Sequence, residues 1–301
     1  MSEALSLGPL LYNWRAEVWR DFHLRIADEA PVDTVHLGEV VCSKRSSARH
    51  FDEVIRRLQV AGKEVVVSTL ALVMSDSESA ALHRLVDKYG DGCLIEANDI
   101  SAVAALAGRR HVVGPFVNVY NEGTLAVLAG LGACRVCLPA EVPAGAIGIM
   151  ARLGTPEIEV QVFGRLPLAL SARCYHARSR GLAKDGCRTV CAEDPDGLPV
   201  DTIDGTPFLS VNGTQTMSHH TLDLLPALSA LRAAGVHRFR LWPQRCDMVA
   251  VAGLYRDVVD GRADPVEADR KLAELLPTVD FANGYLYARQ GCAWVDEDLI
   301  V

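Results

Sequence analysis

The chain has 301 residues, half of them hydrophobic, and sets 30 basic against 38 acidic side chains for a net charge of −8. That length fits two ordinary domains or one large α/β barrel, with material for a sizeable core. The acidic balance argues against a general nucleic-acid binder, although a local basic patch surrounds three of the nine cysteines.

In chain order, β-rich runs are expected at residues 7–12, 34–40, 64–70, 93–97, 111–119, 134–139, 157–163 and 238–242. Amphipathic stretches at 48–61, 77–89, 100–107, 122–131 and 222–234 alternate with them. Their apolar residues recur every three or four positions, as in Phe51, Val54, Ile55 and Leu58. Gly62, Gly90, Gly132 and Gly235 follow these stretches, where helices commonly end. Strand–helix alternation demands parallel pairing, and eight units predict an α/β fold of the (β/α)8 TIM-barrel type. No G-x-G-x-x-G follows the first strand and no G-x-x-x-x-G-K-[ST] occurs, which weakens a nucleotide-binding alternative.

The seventh unit departs from the pattern, because about 75 residues separate its strand from the eighth. An insertion after strand seven, at about 171–207, is expected within a single barrel-like domain spanning 1–301. It carries an acidic turn-rich patch, Glu193-Asp194-Pro195-Asp196-Gly197, and a strand-like run at 208–211 returns toward the barrel. The longest apolar stretch, 125–140, is interrupted by Arg135 and is too short for a bilayer span. With no basic-then-apolar start, a cytoplasmic protein is expected, and Asn212-Gly213-Thr214 reads as a turn rather than a glycosylation site.

Four cysteines stand out. Cys174, Cys187 and Cys191 are spaced C-x12-C-x3-C in an Arg-rich segment, and Cys42 follows the second strand. In a reducing compartment, thiols this close together are metal ligands more often than disulfides, and an odd total of nine cysteines also speaks against a closed disulfide framework. Loops after barrel strands share one face, so Cys42 and the insertion are expected on one rim. From spacing alone, an iron–sulfur cluster, a zinc site and unligated thiols all remain open. Cys134 and Cys137 form a C-x-x-C inside a β-like run and read as core packing, as does Cys93; Cys246 and Cys292 carry no motif.

Polar groups near strand ends form a second set of candidates: Glu39, Ser68, Glu96, Asn98, Asn118 and Glu141. Glu39, Glu96, Glu141 and Arg173 are the candidate catalytic residues, each with pairing to a neighbour as the plainer role. Arg173, Arg178, Arg180 and Arg188 flank the thiols, where they could offset a cluster's charge, grip carboxylates, or form a solvated face. His176 is expected at the surface or in a supporting hydrogen bond, and His219-His220 at a helix cap. No H-E-x-x-H or G-x-S-x-G occurs, and a metal would consume the clustered thiols, so proteolysis is set aside.

Three stretches together resemble the UbiV branch of the U32 peptidase-like superfamily. They are Leu37-Gly38-Glu39-Val40-Val41-Cys42-Ser43-Lys44-Arg45, Leu166-Pro167-Leu168-Ala169-Leu170-Ser171-Ala172-Arg173-Cys174 and Asn212-Gly213-Thr214-Gln215-Thr216-Met217-Ser218. The resemblance runs over nearly the whole chain and weakens after about Asp260. It implies a [4Fe–4S] cluster held by Cys42, Cys174, Cys187 and Cys191, and a heterodimer with a homologous UbiU-like subunit. It further implies O2-independent hydroxylation of the aromatic ring of polyprenylated phenols in anaerobic ubiquinone biosynthesis. Prephenate is the implied hydroxyl donor and a UbiT-like lipid-binding protein the implied accessory. A non-catalytic electron-transfer or structural role for this subunit, and RNA-base hydroxylation, are the alternatives.

Overall fold

The computed structural model of the chain describes residues 3–45 and 48–296. Its first half repeats one unit: β1 (Ala4–Leu7), α1 (Ala16–Glu29), β2 (Thr34–Leu37), α2 (Phe51–Val60), β3 (Glu64–Ser68), α3 (Asp76–Tyr89), β4 (Leu94–Ala97), α4 (Ile100–Ala105), β5 (His111–Val113), α5 (Glu122–Gly130), β6 (Ala133–Cys137) and α6 (Ala144–Ala151). There follow the long β7 (Glu157–Leu170), α7 (Tyr175–Ser179), β8 (Leu198–Asp201), β9 (Pro207–Asn212) and β10 (Gln215–Asp223). The chain closes with α8 (Leu228–Ala233), β11 (Arg238–Leu241), α9 (Met248–Val259), α10 (Pro265–Leu275) and the short β12 (Phe281–Ala282).

Strands β1 to β7 pair in sequence order, all parallel, and β11 pairs in parallel with both β7 and β1. The result is a closed eight-stranded parallel barrel wrapped by helices. Side chains on successive strand positions alternate between the helix layer and the lumen. The main apolar core lies between strands and helices, where Leu5, Leu7, Val35, Leu37, Val65, Val67, Phe239 and Leu241 meet Ile26, Val54, Leu58, Val251 and Tyr255.

Helix starts follow local chemistry. Ser75, Asp99, Asn121, Asp247 and Asp264 each accept a backbone N–H of the first turn of α3, α4, α5, α9 and α10. Among the described residues, no helix is long and apolar enough to cross a membrane.

The seventh unit is where the barrel is elaborated. β7 continues past its barrel half, and its outer half, residues 163–170, pairs antiparallel with β10; β10 pairs with β9 and β9 with β8. Gly164 marks the departure: its φ is +107°, and a Cβ there would stand 2.7 Å from the Cβ of Trp242. The added elements run from the end of β7 to Asp223, beyond the expected bound near 207.

Three expectations are corrected. The first strand ends at Leu7, because Gly8-Pro9 breaks it and Leu10, Leu11 and Tyr12 form a buried loop. The fifth strand ends at Val113, where Gly114-Pro115 opens a 3-10 turn over Pro115–Val117. The expected helix at 222–234 is strand to Asp223, a turn through Pro226, and then α8, so His219 and His220 lie inside β10 rather than at a helix cap.

Candidate functional site

The carboxyl-terminal ends of β1 and β2 and the added elements meet at one rim. Here Arg45, whose side chain is almost wholly buried, donates to the carbonyl of Leu11 and, at 2.7 Å, to Asn212 Oδ1. Asn212 Nδ2 donates to the same carbonyl at 2.8 Å. Thr214 Oγ1 donates to the Val41 carbonyl at 2.9 Å, while the Thr214 carbonyl accepts Ser171 N–H. The turn between β9 and β10 thus clamps the loop after β2 against the loop after β1.

The four cysteines are carried on this clamped framework. Glu39 Oε1 accepts the N–H groups of Val41 and Cys42 at 2.9 and 3.0 Å, which shapes the Cys42 loop. Lys44 Nζ reaches the Lys184 carbonyl at 2.8 Å and Asp185 Oδ1 at 3.3 Å, tying that loop to the segment just before Cys187. Cys174 caps α7, its Sγ accepting Ala177 N–H at 3.4 Å. Cys191 is buried in a 3-10 turn over Val190–Glu193, and Asn13 Nδ2 donates to its Sγ at 3.4 Å. His176 is fully buried rather than superficial, and Nε2 bonds Asp194 Oδ2 at 2.8 Å, locking α7 to the Cys191 turn.

Burial pushes the Cys42 thiol above its ordinary range, against the nearby Lys44 N–H and Arg45. Among the described residues, no group of three or more His, Cys, Asp or Glu side chains is drawn close enough to hold a metal ion. The structure therefore brings the four cysteine-bearing segments to one rim without closing their sulfurs on a common point.

Of the candidate acids, Glu96 lies deepest. It sits in the barrel lumen, fully buried, with Oε1 at 2.7 Å from Arg240 and Oε2 accepting Ser68 Oγ at 2.6 Å and Asn98 Nδ2 at 3.3 Å. Arg240 also donates to Glu159 Oε2 at 2.5 Å and to His36 Nε2 at 3.2 Å. Accepting at Nε2 leaves the His36 proton on Nδ1, which faces Glu96 Oε1 at 3.4 Å. Burial opposes ionisation of both carboxyls, but the Arg240 guanidinium outweighs it, holding Glu96 far below its usual range and Glu159 at about 2. Burial and then Arg240 push His36 below the ordinary imidazole value, against Glu96 and Glu159.

A second charged tier below this one joins Arg135 and Arg238 to Glu157 at 3.0 and 2.9 Å and Arg135 to Glu64 at 3.0 Å. Barrel lumens are usually filled by branched apolar side chains; this one is held by ion pairs. Arg240, Glu159 and His36 were not singled out in the sequence. Their alternation with apolar neighbours, as in Arg238-Phe239-Arg240-Leu241, is the pattern that places them inward.

The remaining candidates lie at the surface. Glu141 accepts Tyr120 Oη at 2.5 Å beside a cavity of about 310 Å³ that Phe116, Gln161 and Leu168 also line. Asn118 borders the same cavity in the left-handed conformation, φ +61°. Arg173, Arg178 and Arg188 are exposed, and Arg180 pairs with Glu193 and Asp194 at 3.4 and 3.7 Å. Cys134 and Cys137, three apart on β6, take different surroundings: Cys134 Sγ donates to the His111 carbonyl, whereas Cys137 is buried beside Arg240 and Glu159.

The sequence profile described as Peptidase family U32 matches residues 22–296. Among solved structures, the fold is similar to that of the U32 peptidase Mk0906, at 12% identity over 81% of this chain and 93% of that one, with a TM-score of 0.47. It is also similar to dihydrodipicolinate synthase from Agrobacterium tumefaciens, at 14% identity over 91% of this chain and 81% of that one, TM-score 0.49. Dihydropteroate synthase from Thermus thermophilus matches at 14% identity over 86% and 93%, TM-score 0.42. Because the profile spans nearly the whole sequence, and spans both Cys42 and the elaborated seventh unit, the chain belongs to peptidase family U32.

Proposed function

We propose that this chain is the iron–sulfur subunit of an O2-independent hydroxylase acting on the aromatic ring of ubiquinone precursors, with Cys42, Cys174, Cys187 and Cys191 holding a [4Fe–4S] cluster. The observation that carries the reading is the convergence of the Cys42 loop and the cysteine-bearing insertion, joined through Lys44 to Lys184 and through Asn13 to Cys191. The donor set fits such a group in kind: four soft thiols, two of them buried, on loops pinned by buried hydrogen bonds. Closing the sulfurs on one centre requires local adjustment of the loops that bear them.

When bound, a cubane cluster supplies single-electron transfer at a potential set by burial and by hydrogen bonds to its sulfurs. The chain already provides two such bonds, from Ala177 N–H to Cys174 and from Asn13 to Cys191. Glu39 orders the Cys42 loop, and Arg45 holds that loop against Leu11 and Asn212. The cavity bounded by Phe116, Tyr120 and Glu141 opens near the carboxyl-terminal ends of β5 to β7 and offers an apolar wall with one acid for an aromatic substrate. A UbiU-like partner, a UbiT-like accessory, prephenate as hydroxyl donor and a cytoplasmic setting complete the proposal, following the sequence resemblance.

The test is genetic. Replacing the chromosomal copy with Cys174→Ala is expected to abolish ubiquinone production in anoxic culture while aerobic production persists. Equal loss with and without oxygen contradicts the pathway assignment.

A further inference from the structure

A second cavity, of about 320 Å³, opens where β7 leaves the barrel beside the loop that follows β11. Arg165, on the outer half of β7, and Arg245, two residues before the Asp247 cap of α9, both line it, together with His219 and Thr221 of β10. Neither arginine forms a salt bridge among the described residues. Arg165 donates one bond, at 3.0 Å, to the Asp196 carbonyl, and the exposed guanidinium of Arg245 has no hydrogen-bond partner there. Two carboxylates line the cavity as well: Asp196 Oδ1 accepts the Arg245 backbone N–H at 2.8 Å, and Asp280 Oδ2 lies 3.2 Å from His219 Nε2. Two guanidinium groups, from the outer half of β7 and the loop after β11, therefore line one concave space, where the Asp196 carboxylate feels both charges but forms a salt bridge with neither among the described residues.

We infer that this cavity is a binding site for a small organic dicarboxylate, gripped by Arg165 and Arg245. A guanidinium fork matches one carboxylate in plane, so two forks from separate elements suit a ligand with two carboxylates. The volume lies at the lower end for small-molecule pockets, which suits a compact acid. Barrels often bind phosphate near the loops after strands seven and eight, using free backbone N–H groups of a helix start. Here Asp247 takes those of Val249 and Ala250 at 3.2 and 3.3 Å, so recognition falls to the arginines, which favours the dicarboxylate.

The site also touches the cysteine-bearing insertion. Asp196, whose carbonyl takes Arg165, follows Pro195, whose carbonyl accepts Trp14 Nε1 at 2.7 Å, and the adjacent Asn13 donates to Cys191. A ligand on the two arginines is thus linked to Cys191 through three hydrogen bonds, Arg165 to Asp196, Trp14 to Pro195 and Asn13 to Cys191. The inference rests on the cavity and its arginines, and it stands whether or not the cysteines hold a cluster.

The test titrates the full chain, purified without oxygen, with succinate, acetate and inorganic phosphate in separate calorimetric series. Saturable succinate binding, tighter than acetate or phosphate, is expected. Arg165→Gln and Arg245→Gln should each weaken it by roughly tenfold or more, while Arg56→Gln on the exposed face of α2 leaves it unchanged. The Arg245 side chain has no hydrogen bond to lose among the described residues, so its variant decides the matter should Arg165→Gln disturb folding. Absence of saturable succinate binding, phosphate binding more tightly than succinate, or Arg245→Gln binding like the parent overturns the inference.

Discussion

At the scale of single residues, Arg240 carries the largest consequence. It is the shared cation of two fully buried carboxylates, Glu96 and Glu159. Removing one partner of a buried ion pair strands the other charge, at a cost of about 3–5 kcal/mol. Arg240→Met is therefore expected to lower stability by about that amount at pH 7, measured by urea unfolding. Both carboxyls have folded-state values below their unfolded ones, so the parent's stabilisation from them is present above about pH 4.5 and is lost as pH falls toward about 2. Without Arg240 the two carboxyls take up protons at higher pH, and the gap between parent and variant should narrow as the solution is acidified from pH 7 to pH 5. A gap that stays constant over that window contradicts the assignment of Arg240 as their counter-ion.

Among the secondary-structure elements, β7 decides how the site is built. Its first half is a barrel strand and its second half an antiparallel edge that carries β10 and β9 and leads into the Cys174 helix. Gly164 makes the change possible, because its φ and its approach to Trp242 both exclude a side chain. Gly164→Ala is expected to destabilise the protein by more than about 1 kcal/mol. Gly130→Ala, at the end of α5 with nothing within 4 Å of the added carbon, should be neutral or slightly stabilising by the same thermal-unfolding measurement. Equal effects would remove Gly164 as the point of departure.

The barrel alternation was legible because strands such as Glu64-Val65-Val66-Val67-Ser68 are short β-branched runs, while helices such as α2 carry a clear helical period. The continuation of β7 was not. Leu166-Pro167-Leu168 contains a proline, which reads as a break, whereas an edge strand with an irregular register tolerates it. His219-His220 went astray for a related reason: the leucine-rich stretch after it, Leu222-Asp223-Leu224-Leu225, is too short to show a period of its own, and Pro226 delays the helix. Of the candidate site residues, Glu39 and the cysteines were visible from their place after strands. Arg240, Glu159 and His36 were hidden, because a charged residue in a short strand usually marks the solvent face and here marks the lumen.

For the molecule as a whole, two layers of organisation meet at the carboxyl-terminal rim. The barrel below is fixed by apolar packing outside the strands and by ion pairs inside them, so the rim rests on a rigid base. Above it, the loops after β1 and β2 and the elaborated seventh unit are joined by Arg45, Asn212 and Thr214, none of which is exposed. This division matches the way barrel proteins vary their loops while keeping the scaffold. Family membership places the chain in a group named for peptidases. No H-E-x-x-H or G-x-S-x-G occurs in the sequence, and the function proposed above rests instead on its four cysteines. The proposal stands on whether thiols from two distant stretches of chain share one inorganic centre. Iron and acid-labile sulfide analysis of anoxically purified protein addresses this directly. About four irons and four sulfides per chain are expected, with loss of both in Cys42→Ser as well as in Cys191→Ser. A single zinc per chain, or iron that survives either substitution undiminished, would contradict the account.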